Sequence, residues 1–264
     1  MSDDPGLDLR ALRAVRGRRH VETYRDLLDA IDDYLTDHDG GWVAWSGGKD
    51  STTVVDLARR VDPSIPVVFY DCGLDFPETL AYIDALTERW QLNLHIIPTE
   101  PDLLTALVAA GDLDPTRPTA RLAIDMRTAM ITAPATAAHQ RFGPANLWGV
   151  RAGESAGRRH LYRTHGHRDG YTGIITRRDG TYSYSPIWDW TTPQVWDYLA
   201  ARDIPTNPVY TVLTRLGVPE HLARVDAMID PQRLDNGHIT HLAHGWPDIY
   251  QRLVKVLPRL ADYN

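Results

Sequence analysis

A short apolar run followed at once by two glycines constrains the fold of this chain more than any other feature. Residues 42–45, Trp-Val-Ala-Trp, have the character of a buried strand. Gly47 and Gly48 come next, and a helix is predicted from Asp50 to Arg60. Strand, glycine turn and helix in this order form one β-loop-α unit, whose two elements pack on a shared core.

Strands and helices continue to alternate after this unit, which predicts an α/β fold with a mostly parallel sheet. Ligands of such sheets bind at the carboxyl ends of the strands. We expect an N-terminal helical segment at 1–40, an α/β nucleotide-binding domain at 41–210 and a helical C-terminal appendage at 211–264. The predicted strands are 66–70, 92–97 and 146–150, with a hairpin of 172–176 and 181–184, and the predicted helices are 21–36, 77–90, 119–140 with a kink at Pro134, and 192–201.

Composition narrows the possible chemistry. Cys72 is the single cysteine of the 264 residues, which excludes an intramolecular disulfide and a four-cysteine metal site carried by this chain alone. The first twenty residues contain no apolar signal core, so we expect a cytoplasmic protein without membrane contact. A net charge of −7 argues against indiscriminate nucleic-acid binding. The sequence contains two basic stretches, Arg10 to Arg19 and residues 151–178. Local contact with an anion is therefore open, including contact of residues 151–178 with DNA.

The segment Ser46-Gly47-Gly48-Lys49-Asp50-Ser51 has the composition of a phosphate-binding loop. Glycines let backbone N–H groups approach an anion, and the start of a helix adds its positive end. Ser46 and Ser51 supply hydroxyls, Lys49 supplies a charge, and Asp50 is suited to hold magnesium or orient water. The alternative is an ordinary strand-to-helix turn. The spacing is neither that of a Walker A loop nor that of a dinucleotide fingerprint.

With this loop and three further motifs, the sequence resembles the N-type ATP pyrophosphatases of the adenine nucleotide alpha hydrolase-like superfamily. Within that group it is similar to the PAPS-reductase-like branch. The ATP sulfurylase small subunit and the ATP pyrophosphatases of DNA phosphorothioation are also similar. Four motifs in the family's order carry the resemblance over residues 41–210: Ser46 to Ser51, Asp71 to Thr79, Gly149 to Arg158, and Ser185 to Tyr210.

This resemblance implies a five-stranded parallel sheet of order 3-2-1-4-5, with the ATP phosphates on the first loop. It also implies that adenosine lies near Trp45, Asp71 and Gly73, and that magnesium accompanies ATP. Asp71 follows a strand end, where an Asp binds a ribose hydroxyl or caps a turn. We interpret Phe76 to Thr79 as the start of a helix.

The basic stretch after residue 150 admits two interpretations. Arg151 and Arg158 are suited to pair with phosphate or sulfate oxygens, with Glu154 orienting one of them, and we expect their glycine-rich segment to close over the site. A solvated basic loop is the alternative. We interpret His160, His165 and His167 as surface or phosphate-contacting residues, with a zinc site as the alternative. Trp188, Trp190 and Trp196 are interpreted as core residues, with a base-stacking platform as the alternative.

One departure from the family bears on the reaction. Thiol-dependent PAPS and APS reductases carry a reactive cysteine in a C-terminal Glu-Cys-Gly segment, whereas this chain has no cysteine after Cys72. We therefore expect an ATP pyrophosphatase that transfers AMP to an acceptor of sulfur metabolism, such as sulfate or a DNA phosphate, with Lys49, Asp50, Arg151 and Arg158 as catalytic residues. A thiol-independent PAPS- or APS-binding protein and a non-catalytic nucleotide-binding subunit stay open. We also expect a protein partner or a homo-oligomer.

Overall fold

The computed structural model describes residues 24–111, 113, 125, 127–168, 170–230, 234 and 237–264. The basic stretch Arg10 to Arg19 and most of the predicted segment 1–40 before Tyr24 lie outside the described residues. The first part of the predicted helix 119–140 also lies mostly outside them.

Six strands form the main sheet, in the order β3-β2-β1-β4-β8-β7. β1 pairs in parallel with β2 and β4, β4 pairs in parallel with β8, and β7 pairs antiparallel with β8. β5 and β6 form a separate antiparallel pair. The strands are β1 Trp42–Ala44, β2 Pro66–Asp71, β3 Asn93–Pro98, β4 Ala145–Leu147, β5 His167–Arg168, β6 Tyr171–Thr172, β7 Ile174–Thr176 and β8 Tyr182–Tyr184.

The helices alternate with these strands and then dominate the C-terminal part. They are α1 Arg25–Asp37, α2 Lys49–Val61, α3 Pro77–Trp90, α4 Leu103–Ala110, α5 Ala133–Phe142, α6 Ala156–His165, α7 Thr192–Ala201, α8 Pro208–Arg215, α9 His238–Gly245 and α10 Pro247–Val256. A π-helical turn, Thr128–Thr132, leads into α5, and 3₁₀ turns occupy Ala152–Glu154, Glu220–Leu222 and Pro258–Tyr263.

The predicted α/β class, the strand order and the helical C-terminal part are confirmed. The fifth position of the sheet is held by β8, and β7 adds a sixth, antiparallel strand beyond it. The predicted hairpin accounts for this extra strand, because Gly180 at φ +84° supports the tight turn from β7 back to β8. The sheet of this chain therefore has one strand more than the family resemblance implied.

Two helices were not predicted from the sequence. α4 begins after Asp102, whose side chain accepts a hydrogen bond from the Thr105 N–H. α6 lies inside the stretch that we expected to be a glycine-rich loop, and that expectation is wrong for Ala156–His165. Its first turn is capped by Ser155, whose hydroxyl accepts from the Arg158 N–H.

The described part of the chain divides into two units. The first combines the described residues up to Phe69 with Ala81–His95 and Ala138–Asn207, and it contains a core of α1, α2, α7 and the central strands. The second combines Tyr70–Leu80, the described residues between Ile96 and Ala137, and those from Pro208 to Asn264. None of the helices in the described ranges has the length and apolarity needed to cross a membrane.

α7 shows how local sequence sets an element boundary in the first unit. The Thr191 hydroxyl accepts from the Gln194 N–H, and the Gln194 side chain accepts from the Thr191 N–H, which together form a capping box. The cap is therefore Thr191, one residue before the Thr192 expected from the sequence. Val195, Tyr198 and Leu199 then face the core.

Candidate nucleotide-binding site

The loop from Ser46 to Gly48 connects the buried strand β1 to the first turn of α2. Gly47 has φ +71°, a conformation that side-chain-bearing residues rarely adopt. The Ser51 hydroxyl accepts from the Ser46 N–H at 3.2 Å and donates to the Gly48 carbonyl at 3.1 Å. Ser51 thus holds the loop closed around the helix start, whose first N–H groups lack partners within the helix. The loop has the form of an anion cradle.

Trp45 supports the loop from the core side. Its indole N–H donates to the Thr52 hydroxyl at 3.0 Å, and its side chain is buried. Tyr82 also reaches this group, since its hydroxyl donates to the Pro205 carbonyl at 2.9 Å and lies 3.4 Å from the Thr52 oxygen. In this arrangement the Trp45 ring packs in the core of the first unit. The predicted adenosine contact of Trp45 stays a prediction.

Asn207, the last residue of the first unit in chain order, fixes the loop by a hydrogen bond. Its side-chain N–H donates to the Gly47 carbonyl at 3.2 Å, and the residue is 1% exposed. Asn207 lies within the last of the four motifs, Ser185 to Tyr210, but its side-chain contact was not predicted from the sequence. A polar residue between two prolines at the end of a family motif was the signal available, and its partner is 160 positions away.

Asp50 is the centre of a largely buried ionic cluster at the start of α2. One carboxylate oxygen accepts from Lys49 Nζ at 2.9 Å, and the other accepts from Arg151 Nε at 2.6 Å. Arg151 Nη1 and Nη2 donate to the Trp190 carbonyl at 2.9 Å and the Thr192 hydroxyl at 3.2 Å. The Arg151 side chain is 3% exposed. Its guanidinium therefore joins the phosphate loop to the segment that precedes α7.

These contacts bear on the predicted magnesium site at Asp50. Both carboxylate oxygens face cations of the chain, so in this arrangement Asp50 does not offer magnesium the oxygen ligand it prefers. Within the residues that the structure describes, no group of three or more His, Cys, Asp or Glu is placed to hold a metal ion. The metal role of Asp50 stays a prediction.

Glu154 links Arg151 to Arg158. Its carboxylate accepts from the Arg151 backbone N–H at 2.9 Å and from Arg158 Nη1. The Arg158 side chain is 40% exposed, so it is the more accessible of the two predicted catalytic arginines. The structure places Arg151 in the interior and Arg158 at the surface, which gives the two arginines different capacities to meet a ligand.

A close backbone approach brings the end of β4 against the start of α2. A Cβ atom on Gly149 would lie 2.5 Å from the Ser51 nitrogen and 2.6 Å from the Asp50 carbonyl carbon. No side chain fits there without moving α2. Gly149 is therefore the residue that allows Arg151, two positions later, to reach Asp50.

Asp71 and Gly73, both in the second unit, form a turn after β2. The Asp71 carboxylate accepts from the Gly73 N–H at 2.8 Å, and Gly73 has φ +76°. This is the turn-capping alternative considered from the sequence. The predicted contacts of both residues with adenosine stay predictions. The start of α3 at Pro77 confirms that residues 76–79 begin a helix.

Cys72 is buried in the same turn. Its thiol donates to the Asp75 carboxylate at 3.2 Å, and its backbone N–H donates to the same oxygen at 3.1 Å. Burial, and then the nearby negative charge of Asp75, raise the pKa of the Cys72 thiol. The thiolate, which is the reactive form, is therefore disfavoured.

The histidines of the basic stretch lie at the surface, as the sequence suggested, and the three tryptophans that follow this stretch are partly buried. His160, His165 and His167 are exposed. Trp190 and Trp196 pack against the core of the first unit, and the Trp188 ring lies 5.6 Å from the Tyr162 ring. Trp196 also approaches the phosphate loop, because Lys49 Nζ lies 5.9 Å from its ring centroid.

Comparison with known proteins identifies the family to which this chain belongs. The model of the phosphoadenosine phosphosulfate reductase domain matches residues 41–217, about two thirds of the chain. The chain belongs to this family, as the four motifs predicted, and adenine nucleotide binding is the expectation for its members.

Named relatives agree with this assignment. The chain is 32% identical over 171 residues to the phosphoadenosine 5'-phosphosulfate reductase of Xylella fastidiosa (strain M12), covering 62% of this chain and 65% of that protein. It is 32% identical over 169 residues to the reductase of the same name from Xanthomonas euvesicatoria pv. vesicatoria (strain 85-10), covering 62% and 64%. The chain thus spans just under two thirds of the length of these relatives.

Two solved structures share the fold. The phosphoadenylyl-sulfate (PAPS) reductase from Candida auris, in a phosphate complex, has a TM-score of 0.51 at 15% identity over 76% of this chain and 92% of that chain. The NMN synthetase from Francisella tularensis has a TM-score of 0.51 at 13% identity over 92% of this chain and 91% of that one. At these identities the likeness concerns the fold alone.

The contact at Gly149 generates a test of the loop's support. Gly149→Ala should lower the free energy of unfolding by about 1–3 kcal/mol, because the added methyl group overlaps the first turn of α2. Urea unfolding measures this loss. Gly153→Ala is the matched control, since a Cβ there meets no atom within 4 Å. Equal stability of the two variants would contradict the tight approach.

Asp75 generates a prediction on pH dependence. Burial, followed by the carboxylates of Asp226 and Asp71, raises the pKa of Asp75 to about 6, although hydrogen bonds from Cys72 oppose the rise. The unfolded chain releases the Asp75 proton near the ordinary pKa of an Asp, whereas the native state holds this proton up to about pH 6. The contribution of Asp75 to stability is therefore present near pH 4 and is lost as pH rises through 6. Asp75→Asn keeps an oxygen acceptor for Cys72 and removes this loss.

We therefore expect Asp75→Asn to gain stability relative to the parent protein between pH 4 and pH 7.5, by at most ~3 kcal/mol. Urea unfolding of both proteins at the two pH values provides the measurement. Asp84→Asn, at an exposed carboxylate, is the control. A stability difference that does not change with pH would refute the assignment.

Proposed function

We propose that this chain binds ATP on the loop Ser46 to Ser51 and activates an acceptor at the ATP α-phosphate, with release of pyrophosphate. The observation that carries the proposal is the cradle itself: a glycine turn with φ +71° at Gly47, closed by Ser51, placed at the start of a 13-residue helix and flanked by Lys49. Such a helix start attracts negatively charged phosphates.

In the proposed reaction an oxygen of the acceptor attacks the α-phosphorus. A new bond joins that oxygen to AMP, the bond between the α-phosphorus and the bridging oxygen breaks, and its electron pair leaves with pyrophosphate. Lys49 and the N–H groups of the loop are placed to stabilise charge that develops on the leaving phosphates. Arg158, which is partly exposed, is the arginine able to turn toward the acceptor.

The state of Cys72 favours this reaction over thiol-dependent reduction. The thiol is buried, donates to Asp75 and has a raised pKa, and this chain contains no second cysteine. A thiol reductase mechanism needs an accessible thiolate. We infer that Cys72 packs in the second unit and takes no part in chemistry.

The named relatives favour one alternative. Because they are phosphoadenosine 5'-phosphosulfate reductases, the same cradle is also suited to hold PAPS or APS in a protein that lacks thiol chemistry. The two functions differ in a single product, since only the ATP pyrophosphatase releases pyrophosphate from ATP. A nucleotide-binding subunit without turnover would bind ATP and release none.

The acceptor is proposed to belong to sulfur metabolism, as sulfate or a phosphate of DNA. Both are anions, and both suit the partly exposed Arg158. Incubation of the pure protein with magnesium and ATP labelled at the α-phosphate, with either sulfate or DNA added, distinguishes the two by the product that carries the label.

Replacement of the loop's side chains tests the nucleotide site. The double variant Ser46→Ala, Lys49→Ala should bind ATP at least tenfold more weakly, a loss of about 1.4 kcal/mol, and should release pyrophosphate more slowly. Calorimetry and a pyrophosphate assay measure the two effects. Ser64→Ala with Lys255→Ala, at two exposed positions, is the matched control. Unchanged ATP affinity in the loop variant would rule out this site.

A further inference from the structure

Lys49, Asp50 and Arg151 form a largely buried ionic cluster. This cluster indicates a role for Arg151 other than the direct phosphate contact that its motif suggests. Asp50 is the second residue of α2, where a carboxylate lies within the first turn that an incoming phosphate would approach. A negative charge at that place repels the phosphate. Arg151 Nε at 2.6 Å and Lys49 Nζ at 2.9 Å together balance the charge of Asp50, and without Arg151 that charge would be paired with Lys49 alone.

The geometry also limits what else Arg151 can contact. Its Nε, Nη1 and Nη2 atoms each donate to an atom of the chain, and its side chain is 3% exposed. The two Nη hydrogens that these contacts leave over belong to a side chain that is only 3% exposed, so a bidentate phosphate contact would require the guanidinium to move. Such a movement would take the Arg151 hydrogen bonds away from Asp50, the Trp190 carbonyl and the Thr192 hydroxyl.

We propose that Arg151 is a positioning residue: together with Lys49 it neutralises Asp50 at the start of α2, so that the phosphate loop is ready for an anion. The inference rests on the proposed function only in placing nucleotide phosphates at the loop. It replaces a direct contact between Arg151 and phosphate by an effect that acts through Asp50.

A suppressor experiment distinguishes the two roles. Arg151→Met removes the balancing charge and should weaken the binding of ATP at least tenfold. Asp50→Asn should bind ATP at least threefold more tightly than Arg151→Met, because it removes the repelling charge together with the need to balance it. The double variant should bind ATP as tightly as Asp50→Asn. If Arg151 contacted phosphate directly, removal of the Asp50 charge would not restore the contact.

Arg151→Lys provides a second, independent readout that does not require tolerance of methionine in the interior. A lysine keeps the positive charge beside Asp50 but cannot form a fork on phosphate. The positioning role predicts that Arg151→Lys binds ATP at least threefold more tightly than Arg151→Met, whereas a bidentate phosphate ligand predicts a loss as large as that of Arg151→Met. Arg163→Met, at an exposed arginine of α6, controls for loss of an arginine charge.

Calorimetry with magnesium ATP, and separately with inorganic pyrophosphate, measures all five variants, and thermal unfolding confirms that each is folded. Rescue by Asp50→Asn and retention in Arg151→Lys support the proposal. A double variant as weak as Arg151→Met, or parental affinity in Arg151→Met, would overturn it. If the parent binds pyrophosphate but not ATP, the proposed function fails while this test stands. If the parent binds neither, both fail.

Discussion

The rest of the first unit depends on how closely the end of β4 approaches the start of α2. A gap too small for one methyl group separates Gly149 from the backbone of Asp50 and Ser51. Because β1 and β4 are neighbours in the sheet, the chain that leaves β4 must pass the loop that leaves β1. The glycine lets it pass close enough for Arg151 to form an ion pair across the contact. The ion pair between Arg151 and Asp50 therefore depends on the close packing at Gly149.

The loop is held at several points by residues distant in sequence. Asn207 fixes the Gly47 carbonyl, Arg151 fixes Asp50, and Ser51 closes the turn from within. Each contact removes freedom that an anion would otherwise have to remove on binding. A preorganised cradle of this kind stabilises charge on phosphates without further rearrangement. The same contacts explain why the buried polar groups of the loop region are tolerated in the interior.

The sequence predicted those parts of the fold that depend on local pattern. α3 begins and ends where its proline and periodicity indicated, and α2 differs by one residue at each end. α6 was missed because its sequence carries Gly157 and many basic residues, which are typical of a loop. The Ser155 cap and the complete burial of Tyr162, whose hydroxyl donates to the Val150 carbonyl, stabilise this helix instead. Only the tertiary structure shows that Tyr162 has this partner.

The candidate site also has features that local sequence predicts and features that depend on the tertiary structure. The composition of the segment 46–51 was sufficient to predict an anion cradle, because glycine and the helix start act locally. The contacts of Arg151 were not predictable, since its carboxylate partner lies 101 positions earlier and its other two partners about 40 positions later. Arginine in a motif is compatible with binding phosphate or with binding a carboxylate, and the burial of the side chain separates the two. Lys49 and Arg151 both pair with Asp50, so two cations offset the one carboxylate at the start of α2 in a chain whose net charge is −7. Solvent screens this largely buried cluster little, which is a physical reason why an acidic protein of this sequence is suited to attract a nucleotide phosphate at this loop.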